Sequence, residues 1–96
     1  AADADPGHEL VGFFLAHAAR LAAAAGDAGR REALAARAVA TAPELVRSFR
    51  DGAEANLAAG DPTSARELTE LAAALAPTDL AVLDLQRRLR AADTAS

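Results

Sequence analysis

Apolar residues recur at steps of three and four through most of this chain, a spacing typical of amphipathic α-helices. Glycine, proline and aspartate interrupt the pattern at intervals, as they do at helix ends. The pattern therefore predicts five α-helices joined by short turns. The predicted helices cover about residues 7–25, 28–40, 44–59, 62–76 and 78–90.

Each predicted helix has one apolar stripe, which we expect to face the core. On the first helix the stripe consists of Leu10, Phe14, Ala18, Leu21 and Ala25, widened on one side by Val11, Leu15 and Ala22. Phe13 lies about a quarter turn away from this stripe and is expected to be exposed. On the later helices the inward residues are expected to be Leu34, Ala35, Ala38, Val39, Val46, Phe49, Ala53, Leu57, Ala65, Leu68, Leu71, Ala72, Leu75, Leu80, Leu83 and Leu89.

Two turn dipeptides each occur twice at the same separation. Gly-Asp stands at residues 26–27 and 60–61, and Ala-Pro stands at 42–43 and 76–77, so each repeats after 34 residues. Glycine accommodates the left-handed conformation at a helix C-terminus. The aspartate after it can accept a hydrogen bond from the first turn of the next helix. Two independent signals with one period indicate an internal repeat.

Further capping residues are predicted at the other helix starts. Asp5 is placed to cap the first helix. Thr41 and Glu44 are three residues apart and are predicted to form a capping box before the third helix. Thr78 or Asp79 is expected to cap the fifth helix.

Length and composition limit the chain to one small domain of 96 residues. Hydrophobic residues make up 52%, but aromatics only 3%, so alanine dominates and favours helices that approach closely. Cysteine is absent, which excludes disulfides, thiolate metal sites and thiol nucleophiles. We expect the domain to span residues 8–90, between a disordered leader at 1–7 and a tail at 91–96.

The repeat resembles the tetratricopeptide repeat, a two-helix unit with a 34-residue period. Pro43 and Pro77 close the two repeats as the family pattern requires. The tyrosine positions depart from that pattern, because Ala22 and Asn56 occupy them. Arg31 also stands where the family packs an alanine.

This resemblance implies an all-α fold of antiparallel helix hairpins, stacked as a short right-handed solenoid of about two and a half repeats. The two repeats would cover about residues 12–45 and 46–79, and a helix at 78–90 would cap them. A plain alanine-rich helical bundle is the alternative interpretation.

In the tetratricopeptide family the first helix of each repeat lines a concave groove that takes an extended peptide. The resemblance places the partner-binding residues at Phe13, Arg20, Arg47, Arg50, Glu54, Leu57, Asp84 and Arg88. Four of them are arginines in a chain of net charge −4, so the expected ligand is a peptide or partner domain bearing carboxylates. The implied function is protein–protein interaction. The alternative is that these residues form an ordinary solvated helix surface.

A second hypothesis belongs to a different functional class. The chain could be a structural or dimerisation segment of a larger bacterial protein or enzyme, with the apolar first helix as the joint. Under this hypothesis Phe13 takes part in a homodimer contact. A short array also leaves its end faces uncovered, and another protein, a missing portion of the same chain or a second copy would have to cover them.

Other functions find little support in the sequence. The net charge of −4 argues against nucleic-acid binding, and the apolar stretch at 10–25 is too short and too polar to span a bilayer. His8-Glu9 begins like a zinc-protease signature, but residue 12 is glycine instead of histidine. We therefore expect no enzyme activity, cofactor or metal. All ten basic residues are arginine, which suggests a GC-rich bacterial genome, and a cytoplasmic location is expected.

Overall fold

The computed structural model describes the backbone of residues 6–95 and the side chains of residues 10–92. It confirms the all-α prediction: five helices form antiparallel hairpins, and residues 6–95 contain no strand. The helices are α1 (Pro6–Ala24), α2 (Ala28–Thr41), α3 (Leu45–Ala58), α4 (Pro62–Leu75) and α5 (Leu80–Ala95).

The two ends of the fold differ from the predicted boundaries. α1 begins at Pro6, so the last two residues of the predicted leader are helical, while residues 1–5, including the proposed cap Asp5, lie outside the described part. α5 continues to Ala95, through most of the predicted tail at 91–96. Three of the residues 91–95 are alanine, the best helix former, which accounts for the extension.

The helix ends at the repeated Gly-Asp turns have the predicted chemistry. Gly26 and Gly60 adopt φ of 79° and 81°, values that favour glycine. Asp27 Oδ1 accepts a hydrogen bond from the Arg30 backbone N–H at 3.1 Å. Asp61 Oδ1 accepts the equivalent bond at 3.2 Å, and hydrogen bonds from Ser64 hold the pKa of Asp61 below its usual value. Local sequence therefore determines these two turns.

The predicted capping box before α3 does not form. Thr41 is the last residue of α2, and the backbone N–H of Ala42 bonds back to the carbonyl of Ala38, so α2 uses this segment for its own C-terminus. Glu44 is the residue before α3 but makes no side-chain capping bond. At α5, in contrast, Asp79 Oδ1 accepts a hydrogen bond from the Ala81 backbone N–H at 2.8 Å, which makes Asp79 the cap.

α4 is the central helix and packs against each of the other four. Its buried residues are Ala65, Thr69, Leu71, Ala72, Ala74 and Leu75. Its one buried polar side chain, Thr69, donates its hydroxyl hydrogen to the Ala65 carbonyl at 2.7 Å. The hairpins α1–α2 and α3–α4 stack on each other. In this stack α1 contacts α4 more extensively than it contacts α3.

The burial pattern of α1 differs from the predicted one. Its buried positions are small: Gly12, Ala16 and Ala19, together with Ala22, which is buried as predicted. Leu10, Phe14 and Leu21 of the predicted stripe instead face solvent, and Phe14 is 64% exposed. Both faces of α1 are apolar, so hydrophobicity alone does not choose between them. The small face is buried because it lets neighbouring helices approach closely.

The rotation of α5 also differs from the prediction. Leu80 and Leu83 are 82% and 43% exposed, whereas Val82 and Leu85 are buried together with the correctly predicted Leu89. Asp79 caps α5, whose first residue is Leu80, and Val82 lies on the side of the helix that faces the core. On α2, Ala35 and Ala38 are buried as predicted, but Val39 is 38% exposed. Phe49 and Ala53 on α3 are buried as predicted.

Gly12 lies where α1 approaches the α2–α3 connection most closely. A Cβ at Gly12 would lie 2.9 Å from Ala42 Cβ and 2.8 Å from Leu45 Cδ1. Ala42 Cβ is fixed by its backbone and cannot rotate away. We therefore expect Gly12→Ala to lower the free energy of unfolding by about 1 kcal/mol, although alanine has the higher helix propensity. Urea unfolding followed by circular dichroism measures this change.

Gly52 provides a matched control in the middle of α3. A Cβ there would meet Leu68 Cδ1 at 2.9 Å, the far end of a flexible side chain. Gly52→Ala should therefore leave stability unchanged or raise it by up to about 1 kcal/mol. Equal stability losses in the two variants would contradict the close approach at Gly12.

Candidate interaction surfaces

An ion-pair cluster joins α3 to α5 and contains three of the predicted binding residues. Arg88 Nη2 lies 2.6 Å from Glu54 Oε1, and Arg88 Nε lies 3.0 Å from Asp84 Oδ2. Arg87 also contacts Asp84, at 2.9 Å. A hydrogen bond from Arg87, with Arg88 beside it, holds the pKa of Asp84 below its usual value, and the bond to Glu54 raises the pKa of Arg88. These charges are matched within the chain.

Arg50 forms a second link between α3 and the start of α5. Its Nη1 lies 3.3 Å from both carboxylate oxygens of Asp79, and the two side chains are only 29% and 25% exposed. Asp79 also caps α5, so one carboxylate joins the two helices. Among the described residues the buried Arg50 Nε has no hydrogen-bond partner. Arg50 therefore links α3 to the start of α5.

Arg20 lies apart from the α3–α5 cluster, against α4. Its Nη1 lies 3.7 Å from Glu70 Oε2. Arg20 and Arg31 both line a shallow cleft of about 360 Å³ between α1, α2, α4 and α5. Arg31 donates to the carbonyl of Ala74 at 2.8 Å, and so satisfies an end carbonyl of α4.

Arg47 and Leu57 lie at opposite ends of α3. Arg47 Nε lies 3.8 Å from Asp51 one turn on, and this side chain is 79% exposed. Leu57 is half-buried against the core cluster that includes Leu85. The structure thus brings Glu54, Asp84 and Arg88 together, but it separates Arg20 from them and orients Arg47 outward.

Phe13 is the less exposed of the two adjacent phenylalanines in α1, contrary to the prediction. It is 39% exposed, its ring centroid lies 4.6 Å from that of His17, and it meets Phe49 edge-on at 5.8 Å. Phe13 therefore bridges α1 to α3. Phe14 next to it is 64% exposed.

The opposite side of α1 forms a continuous exposed apolar surface, which we call the α1 apolar face. It consists of Leu10, Phe14, Ala18 and Leu21, flanked by Val11. Leu10 is 56%, Phe14 64% and Leu21 65% exposed. None of the face residues is charged. The sequence pattern identified these residues as one stripe but assigned them to the core.

The internal repeat relates the α1 apolar face to a buried face on α5. Two repeat periods separate Phe14 from Val82 and Leu21 from Leu89. Val82 and Leu89 are 0% and 4% exposed, because this side of α5 packs on α3 and α4. The equivalent side of α1 has no such hairpin against it among the described residues. Comparable helix-packing positions are therefore covered on α5 and uncovered on α1.

The side chains of residues 10–92 include no group of three or more histidine or acidic residues that could bind a metal ion. Among the helices of residues 6–95, none combines the length and apolarity needed to cross a membrane.

Comparisons of the chain with protein-family models, with curated proteins and with solved structures gave no match.

Proposed function

We propose that this chain is a protein–protein interaction module that docks through the α1 apolar face. The observation that carries the proposal is the exposure of Leu10, Phe14 and Leu21 on one side of one helix. The burial of the repeat-equivalent side of α5 supports it, because that side packs on a helical hairpin. The partner surface is accordingly expected to be apolar and helical.

The size of the α1 apolar face supports a binding role. Its large side chains together expose on the order of 400 Å² of apolar surface, which is within the roughly 300–600 Å² of the largest patch on a typical monomer, a patch that is often functional.

Binding of an acidic peptide to the predicted arginine groove is a weaker proposal. Arg20, Arg47, Arg50 and Arg88 each lie within 4 Å of a carboxylate of the chain itself. A ligand carboxylate would have to displace these partners, which removes most of its electrostatic gain. Arg47 is the most exposed of the four arginines and is the residue on which this alternative depends.

Kinship with tetratricopeptide repeats is likewise a proposal. The 34-residue period and the matched glycine and aspartate caps support it. The stacking of α4 rather than α3 beside α1 is a departure, since a shared groove would need the first helices of both repeats side by side.

Site-specific photocrosslinking in cells that express the protein distinguishes the two surfaces. Benzoylphenylalanine is placed at residue 14 on the α1 apolar face, at residue 47 on α3, or at residue 36 as an exposed background position on α2. We expect adducts from residue 14 well above those from residue 36. Adducts from residue 47 instead of residue 14 would favour the peptide groove and overturn the proposal. Equal yields from all three positions would also overturn it.

A further inference from the structure

We infer that the α1 apolar face pairs with the same face of a second copy, with the two α1 helices antiparallel. This inference rests on the proposed function and names its partner. The α1 apolar face is self-complementary in this arrangement. With a twofold axis between His17 and Ala18, Phe14 meets the second copy's Leu21, and Leu10 meets its Ala25. The same axis places each Ala18 beside the second copy's His17.

The side chains along this pairing alternate in size in the way that close helix packing requires. A large residue lies opposite a smaller one at both ends, and Ala18 at the centre lets the helix backbones approach. Close approach through small residues is already how α1 packs within the chain, through Ala16 and Ala19. An antiparallel pair also sets the two helix dipoles in opposition, which is favourable.

The charges beside the face do not oppose this pairing. The face itself is uncharged, and Arg20 on its flank is engaged with Glu70 of α4. A second copy would therefore bury apolar side chains without burying an unpaired charge. A partner with a basic or acidic groove would gain no electrostatic binding energy from this uncharged surface.

The area involved predicts a reversible dimer. Two α1 apolar faces, with their flanking alanines, would bury about 1,000 Å² in total, slightly below the size of stable interfaces. We therefore expect a dissociation constant in the micromolar range. Dimers should dominate at high concentration and separate on dilution.

Sedimentation equilibrium of the purified chain across a hundredfold concentration range tests the inference. The wild-type mass should rise from that of one copy, 9.7 kDa, toward that of two. Phe14→Glu and Leu21→Glu should each weaken dimerisation at least tenfold while circular dichroism stays unchanged, because both side chains are exposed in the single chain. Leu80→Glu is the matched control: Leu80 is 82% exposed on α5 and should not alter the dimer.

Single-cysteine variants test the register, since the chain has no cysteine of its own. Ala18→Cys places a thiol beside the proposed twofold axis and should form a disulfide-linked dimer on mild oxidation. Ala36→Cys places a thiol on the exposed side of α2 and should crosslink much more slowly. Phe14→Glu added to Ala18→Cys should slow its crosslinking to the Ala36→Cys rate.

A monomer at every concentration would overturn the inference, as would a dimer that Phe14→Glu leaves intact. A parallel register would show as rapid crosslinking of Leu10→Cys, and it would also overturn the antiparallel pairing. These failures are separable from failure of the proposed function. If residue 14 crosslinks to a different protein while the purified chain is monomeric, the interaction role stands and the second copy is not the partner.

Discussion

Phe49→Ala is expected to lower the free energy of unfolding by about 3–5 kcal/mol, the largest effect of any single substitution considered. Phe49 is 4% exposed and is the one buried aromatic among the described residues. Its ring packs in the main core cluster, and Phe13 meets it edge-on. Alanine would leave a cavity that the surrounding alanine-rich helices have few long side chains to fill.

A loss of this size is a large fraction of the stability available to a 96-residue domain, about 5–14 kcal/mol. Urea unfolding should therefore show a much lower midpoint with a similar slope. Protein concentrations well below the micromolar dissociation constant expected for the dimer keep self-association from contributing to the measurement.

Phe14→Ala is the matched control because it removes the same atoms from an exposed position. Phe14 is 64% exposed, so stability should change by less than about 0.5 kcal/mol. The sequence pattern predicts the opposite, since it assigns Phe14 to the core stripe. A loss for Phe14→Ala comparable to that for Phe49→Ala would contradict the observed orientation of α1.

The features that sequence predicted well are those determined by local chemistry. Gly26 and Gly60 have positive φ, and Asp27 and Asp61 cap the following helices, because each involves residues within one turn of the other. The number of helices follows from these glycine and aspartate residues, because they mark where one helix ends and the next begins. Thr41 is an exception, since two adjacent helix ends compete for the same short segment.

The helix rotations were harder to predict because they depend on packing between distant segments. α1 is apolar on both sides, so periodicity could not show that Ala16 and Ala19 face inward and Phe14 outward. In this orientation Gly12 lies close to the α2–α3 connection, an approach between residues about 30 apart in sequence. On α5 the shift from Leu83 to Val82 is a change of one position, within the uncertainty of a periodic pattern.

The candidate site was predictable in composition but not in geometry. The three- and four-residue spacing placed Arg47, Arg50 and Glu54 along one side of α3. It could not show that Arg50 pairs with Asp79 or that Glu54 pairs with Arg88, since each contact spans about 30 residues. The sequence pattern, in contrast, identified the residues of the α1 apolar face as one stripe. Only the predicted direction of that stripe, toward the core, was wrong. Exposed and buried apolar stripes have the same periodicity, so three-dimensional packing is needed to tell them apart.

Asp79→Ala is expected to lower the free energy of unfolding by about 2–3 kcal/mol, the second largest effect. The substitution removes two interactions at once. Asp79 caps α5 through the Ala81 backbone N–H at 2.8 Å, and it contacts Arg50 at 3.3 Å. Both groups lie at the joint where α5 docks on α3. Loss of the carboxylate also leaves Arg50 partly buried without its counter-ion, which adds to the cost.

Asp79→Asn separates the two contributions, because asparagine is as good a helix cap as aspartate but carries no charge. Asp79→Asn should lower the free energy of unfolding by about 1 kcal/mol, which is the contribution of the charge. The additional loss in Asp79→Ala is then the contribution of the cap. A double-mutant cycle with Arg50→Ala should give a coupling energy of about 1 kcal/mol between the two side chains. A coupling near zero, together with no measurable loss for either Asp79→Asn or Asp79→Ala, would show that α5 docks through Val82, Leu85 and Leu89 alone. The link between α3 and α5 would then be apolar, and Arg50 would be released to bind a ligand carboxylate.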